Sequence, residues 1–326
     1  MRTNYTRDVS YDALLIVSFG GPEAESDVIP FLENVLRGRN VPRERLVAVA
    51  GHYYHFGGRS PINDHCRELI AALRREIALP VYWGNRNWHP MLADTVRQMA
   101  SDGVRRALAI ATSAFSSYSA CRQYLENIAA ARAAVGESAP EIDKLPPFCG
   151  HPLFLEASAD RVRAAFARLP ADRRAAARLV FTAHSIPLSM ASTCRYQEQL
   201  LAVARHVSKA VDHPEWDLAW QSRSGPPGQP WLEPDILDHL QSLAAGGVKD
   251  VVIAPIGFLS DHMEVMYDLD VEAAQRCAAL GLEMVRAQTA GTHPAVIRMI
   301  AELLADRQSG RASDLCAPDC CPAPRR

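Results

Sequence analysis

The sequence predicts an α/β protein made of two Rossmann-like units, each with a parallel sheet. Three observations carry that prediction. Short apolar runs rich in Val, Ile, Leu and Ala alternate with helical patterns along the chain. Both halves place a strand, a long helix, a short aromatic strand, a helix and a third apolar strand in the same order. The least generic stretches follow directly on the strands, where parallel sheets carry their ligand loops.

The elements follow in order. "ALLIVSF" (13–19) is a buried-strand run that Gly20-Gly21-Pro22 ends. "DVIPFLENVLRG" then has Val28, Phe31, Leu32 and Val35 on one helical face, with Gly38 beyond its end. A helix around 62–76, a strand 80–84, a helix around 90–102, a strand 106–112 and a helix around 117–135 complete the first unit. "GESAPEIDKLPPFCGHP" reads as a loop. The second unit comprises a helix 153–168, strand 177–183, helix 193–209, strand 217–222, helix 233–245 and strand 249–258. A strand 282–287 and a closing helix 293–306 follow. The expected division is a flexible N-terminus (1–10), domains at 11–150 and 151–307, and a cysteine-bearing tail (308–326), with packing of the closing helix on the other domain left open.

Composition narrows the function classes. The chain has 326 residues, 48% hydrophobic and 22% charged, ample for a core. A net charge of −2 gives no footprint for general nucleic-acid binding. No apolar run approaches the ~20 residues of a membrane span, and the N-terminus lacks an apolar leader, so a cytoplasmic monomer is expected. Eight cysteines in that compartment are not a disulfide framework. Cys66, Cys149, Cys194 and Cys277 stand singly, as buried thiols do, whereas Cys316, Cys320 and Cys321 cluster in a Pro-rich tail, as metal-binding thiols do.

Two common phosphate cradles, GxGxxG after the first strand and GxxxxGK[ST], are missing, as are GxSxG and HExxH. Chemistry is sought instead at His184 and in "SDHMEVMYDLDVEAA" (260–274). His184 directly follows the run "LVFTA", and Ser185 and Pro187 make a tight exit that fixes its ring, so it can take a proton or bind a metal. On a helix, Glu264 and Asp268 share a face, with Asp261 and Glu272 a turn to either side. Asp261 and Glu272 read as helix-start or solvated acids; Glu264, between Met263 and Val265, reads as functional. Aromatics near the loops (Phe19, Tyr53, Trp88, Phe115, Tyr118, Tyr124, Trp220, Trp231) belong mostly to the core, and several at one cleft suit a large flat ligand.

The stretches "VSFGGPE", "HYYHFGGRSPIN", "GNRNW", "TAHSIP", "AWQSRSGPPGQPWLEPD" and "PIGFLSDHMEVMYDLD" resemble the ferrochelatase family, in family order from about residue 12 to 306. The resemblance implies two chelatase-type domains enclosing a porphyrin cleft, and Fe²⁺ as substrate. It implies His184 and Glu264 as the catalytic pair that meets the iron, with His184 as base and Asp268 behind Glu264 as a metal-side relay. Which of the pair takes protons stays open. The segment 26–36 becomes a mobile lip over the ring.

Ser60, Tyr124, Phe19, Asn85 and His52 fall at porphyrin-contacting positions. Phe19 replaces a tyrosine found in some members, Asn87 replaces a histidine, and His52 stands where a basic residue is expected, which limits the transfer. The wording is similar to the actinobacterial branch, implying coproporphyrin III as substrate and coproheme as product; protoporphyrin IX, or a non-catalytic porphyrin carrier, is the alternative. That branch also implies a [2Fe–2S] cluster on Cys121, Cys316, Cys320 and Cys321, with Cys149 as the rival internal ligand and zinc as the rival metal. Transient contact with an iron donor or a coproheme-processing enzyme is a further expectation.

Overall fold

The computed structural model describes residues 10–38, 41–225, 228–311 and 319–323. They divide into two compact units. One holds residues 10–112, 119–147 and the chain from Pro294 to Cys320; the other holds Ser113–Tyr118, Phe148–His293 and the chain from Cys321.

Each unit contains a four-stranded parallel sheet flanked by helices. In the first, β1 (Ala13–Ser18), β2 (Val81–Asn85), β3 (Arg106–Ala111) and β4 (Glu141–Lys144) lie in the order β2-β1-β3-β4. In the second, β5 (Arg178–His184), β6 (Trp216–Gln221), β7 (Asp250–Ala254) and β8 (Glu283–Arg286) repeat it as β6-β5-β7-β8. The central strands are apolar on both faces because helices cover both: every residue of β1 and of β7 is buried. In this order the connections leave the first strand in opposite directions, so a crevice opens at the carboxyl ends of β5 and β7. His184 is the last residue of β5, and Glu264 lies in the segment leaving β7.

The structure corrects the sequence reading in four places. The stretch read as a loop after residue 135 contains β4, whose polar sequence "EIDK" suits an edge strand. A helix at Arg43–His55 was not expected; it buries only Ala50 and Tyr53, too little to leave an apolar stripe. The strand expected over 249–258 ends at Ala254, before Pro255. Finally, the carboxylate-bearing segment is no plain α-helix: a short turn at Met263–Val265 passes into a π-helix at Met266–Ala273, and a second π-turn spans Tyr118–Arg122. Widened turns of this kind concentrate at functional sites.

The closing helix, Pro294–Gln308, groups with the first unit, where Arg307 Nε donates to Tyr11 Oη at 3.3 Å. One glycine matters for the site. A Cβ on Gly257 would lie 2.4 Å from the Cβ of Ala183, so the chain leaving β7 can press against β5 next to His184 only without a side chain. Gly257 N donates to Thr182 O at 3.0 Å and locks that approach.

Candidate active site

His184 is held from several sides. Ser185 N donates to Gln221 O at 2.8 Å, Ser185 Oγ to Leu232 O at 2.8 Å, and Tyr196 Oη to the carbonyl of His184 at 3.1 Å. The ring's Nδ1 contacts the carbonyl of Ser185. A carbonyl only accepts, so Nδ1 carries the hydrogen and the neutral ring keeps its lone pair on Nε2. That nitrogen lies 3.6 Å from Glu264 Oε2. Burial disfavours the imidazolium, but the hydrogen bond and charge of Glu264, the Ser185 carbonyl and the charge of Asp268 outweigh it, and the His184 pKa rises above its ordinary value. With 31% of the His184 side chain and 48% of that of Glu264 exposed, both groups are open to a ligand.

Asp268 lies behind this pair. Its Oδ2 accepts from Ser222 Oγ and, at 3.3 Å, from Gln221 Nε2. Burial pushes its carboxyl up to about 7; the Ser222 and Gln221 hydrogen bonds lower it, while the charges of Glu264 and Glu272 add to the rise. A carboxyl at that value changes protonation near neutrality, as a proton relay must. Ser222 sits at φ 61, a left-handed backbone that aims its hydroxyl at the carboxylate. His262, whose pKa burial lowers, lies within the field of Glu264 and His184.

Sequence reasoning brought His184, Glu264 and Asp268 together. It missed Gln221 and Ser222, whose only signal was their place at the carboxyl end of β6. Of the acids read as bland, Glu272 is exposed as expected, whereas Asp261 is ion-paired to Arg286 at 3.0 Å.

The residues expected to touch a porphyrin lie in the first unit. Ser60 and Tyr124 are buried, at 3% and 4% exposure, while Phe19 and His52 are half-buried. Phe31 packs against Phe19, Tyr53 and Trp88 with ring centres 5.7–6.3 Å apart, and the Arg86 guanidinium lies over Phe19 and Tyr124. Asn85 is fully buried: its Oδ1 accepts from Trp83 Nε1 at 2.9 Å, and its amide donates to Asn63 Oδ1 and His89 O, so it braces the loop that follows β2. Asn87 is likewise engaged, donating to the carbonyl of Phe19 at 3.2 Å.

Among the tail thiols, Cys320 is half-buried and Cys321 buried, both unbridged, and Cys316 lies outside the described residues. Cys121, 1% exposed, sits in the Tyr118–Arg122 π-turn, where Lys144 Nζ lies 3.4 Å from its sulfur.

The fold has counterparts among known proteins. A family model described as ferrochelatase matches residues 11–308. The chain belongs to the ferrochelatase family. It is therefore an enzyme, a metal chelatase. A ferrochelatase of Rhodopirellula baltica is 53% identical, with 95% of this chain and 93% of that protein covered. A coproporphyrin III ferrochelatase of Nocardia farcinica is 54% identical, at 93% and 90% coverage, and one of Mycolicibacterium smegmatis 52%, at 93% and 91%. SirB from Bacillus subtilis with Fe³⁺ superposes with a TM-score of 0.60 at 13% identity, covering 93% of this chain and 97% of SirB; at that identity the likeness concerns the chelatase fold alone. Among the described residues, no helix of this ferrochelatase is long and apolar enough to cross a membrane.

Proposed function

We propose that this ferrochelatase inserts Fe²⁺ into coproporphyrin III, giving coproheme and two protons, as a step of heme biosynthesis in the cytoplasm. The observation that carries the chemistry is the His184–Glu264 pair: an imidazole with Nδ1 committed to a carbonyl and Nε2 3.6 Å from a carboxylate. Insertion exchanges two pyrrole N–H protons for one Fe²⁺, so charge and atoms balance when a base carries the protons away. His184 Nε2 takes the two protons one after the other, passing the first to solvent before it accepts the second, and Glu264 stabilises the imidazolium each time. Asp268, with a pKa near 7, passes charge on the metal side behind Glu264. Phe19 and its aromatic neighbours would give apolar contacts to the macrocycle, and Ser60, Tyr124 and His52 polar ones.

The choice of coproporphyrin III is supported by the names of the Nocardia and Mycolicibacterium relatives. The test is anaerobic Fe²⁺ insertion with both porphyrins. The expected result is a kcat/KM for coproporphyrin III at least about tenfold above that for protoporphyrin IX. Equal values, or a preference for protoporphyrin IX, contradict the choice.

A [2Fe–2S] cluster on Cys121, Cys316, Cys320 and Cys321 belongs to the same proposal. Such a cluster supplies a one-electron centre and a cross-link between distant chain segments. Support comes from Cys121. Lys144 Nζ lies 3.4 Å from its sulfur, a neighbour of the kind that accompanies reactive and metal-ligating thiols. The rival Cys149 is driven by burial to about 11, which favours its thiol. Among the described residues no three His, Cys, Asp or Glu side chains gather as a metal site, so the fit rests on Cys121. The purified protein is expected to be brown, with visible absorption that Cys121→Ser abolishes; colourless protein with one zinc per chain overturns the cluster.

A further inference from the structure

The segment carrying Glu264 and Asp268 is tied to the sheet by one side chain that the reaction itself does not use. Arg286 ends β8, with Ala287 N donating to Ile253 O of β7 at 2.8 Å, so its base is fixed by the ladder. Its guanidinium grips two carboxylates at once. Nη1 and Nη2 donate to the two oxygens of Asp261 at 3.0 and 3.1 Å, and Nε and Nη2 to those of Asp270 at 2.6 and 2.9 Å. Asp261 precedes the short turn that bears Glu264, and Asp270 lies within the π-helix that bears Asp268. The two aspartates thus bracket both functional carboxylates.

The energetics favour a clamp over a passing surface pair. Arg286 and Asp261 side chains are each 16% exposed and Asp270 34%, so the ions are partly desolvated and rely on one another. A planar fork meeting two carboxylates bidentately fixes orientation as well as distance, which a lysine cannot do. A π-helix is less favourable than the α-helix it interrupts and needs tertiary contacts to persist. Buried Met263, Val265, Leu269 and Ala273 anchor the inner face of the segment, while the Glu264 side chain is 48% exposed, so where it stands follows the backbone course that the clamp pins.

We infer that Arg286, through Asp261 and Asp270, is a positioning residue that sets where Glu264 and Asp268 stand relative to His184. The inference rests on the reading of Glu264 and Asp268 as the metal-side carboxylates. Displacing Glu264 alters iron capture, whereas Phe19, His52, Ser60 and Tyr124, proposed to meet the porphyrin, lie on other elements, so the effect falls on iron and spares the porphyrin.

The experiment measures steady-state anaerobic iron insertion with Arg286→Gln, Arg286→Lys, Asp270→Asn and Glu264→Gln, alongside thermal unfolding of each. Arg286→Gln is expected to raise the KM for Fe²⁺ about tenfold while the porphyrin KM stays within about twofold, with Arg286→Lys and Asp270→Asn shifted the same way by less. A simple loss of folded protein would lower the apparent kcat and leave both KM values unchanged. Should Arg286→Gln fail to fold, the milder Asp270→Asn carries the test. A wild-type iron KM in folded Arg286→Lys and Asp270→Asn, with Glu264→Gln impaired, overturns the clamp alone. A fully active Glu264→Gln overturns the underlying reading of Glu264.

Discussion

His184→Ala is expected to lower kcat for iron insertion by about 10²- to 10⁴-fold, the range a positioned general base supplies. The size follows from the ring's fixed tautomer. Nδ1 is spent on the Ser185 carbonyl, which leaves Nε2, 3.6 Å from Glu264, as the ring nitrogen that can take a proton. The base acts in its neutral form, and its pKa is raised, so kcat/KM climbs as pH rises through that raised value and falls on the acid side. Because the charge of Asp268 contributes to the rise, Asp268→Asn moves the acid limb to lower pH. A rate profile recorded between about pH 5 and 9 on wild type and both variants reads the base and its neighbour together. An acid limb unmoved in Asp268→Asn separates Asp268 from the base.

Glu264→Gln carries the second large effect, an expected drop of about 10²-fold in kcat/KM. The amide keeps the shape but loses two functions of the carboxylate. It no longer stabilises the imidazolium at 3.6 Å, and it is a weaker oxygen ligand for a divalent iron. Since Glu264 is the chief group raising the His184 pKa, the acid limb shifts down in this variant as well. Porphyrin affinity, followed by quenching of porphyrin fluorescence in the absence of iron, stays at the wild-type level. A wild-type rate in Glu264→Gln places the metal elsewhere.

Much of this site was legible before any coordinates. His184 is announced by the apolar run it terminates, and Glu264 by its proximity to another strand, because a parallel sheet delivers its chemistry at carboxyl ends. What decides the behaviour of these groups was not legible. The neutral-range titration of Asp268 depends on burial and on Ser222 and Gln221, which arrive from a different strand's exit. The Arg286 clamp joins residues 25 and 16 positions apart, beyond the reach of any helical or strand period. Asn85, expected at the porphyrin, ends β2 with its side chain bonded into the Asn63 and Trp83 network, which only packing reveals. Polar β4 and the weakly patterned helix at Arg43–His55 escaped for the same reason, since neither bears the alternation that burial on one face imposes. The tail thiols remain a matter of chemistry and resemblance, with Lys144 beside Cys121 the structural contribution.

The most direct measurement is the anaerobic initial rate of coproheme formation from Fe²⁺ and coproporphyrin III, with wild-type protein, with His184→Ala and without protein. Wild type should exceed the spontaneous rate by at least about 10³-fold and His184→Ala should fall most of the way back to it. Wild-type turnover retained in His184→Ala, or no acceleration by the wild-type chain, contradicts catalysis by this pair.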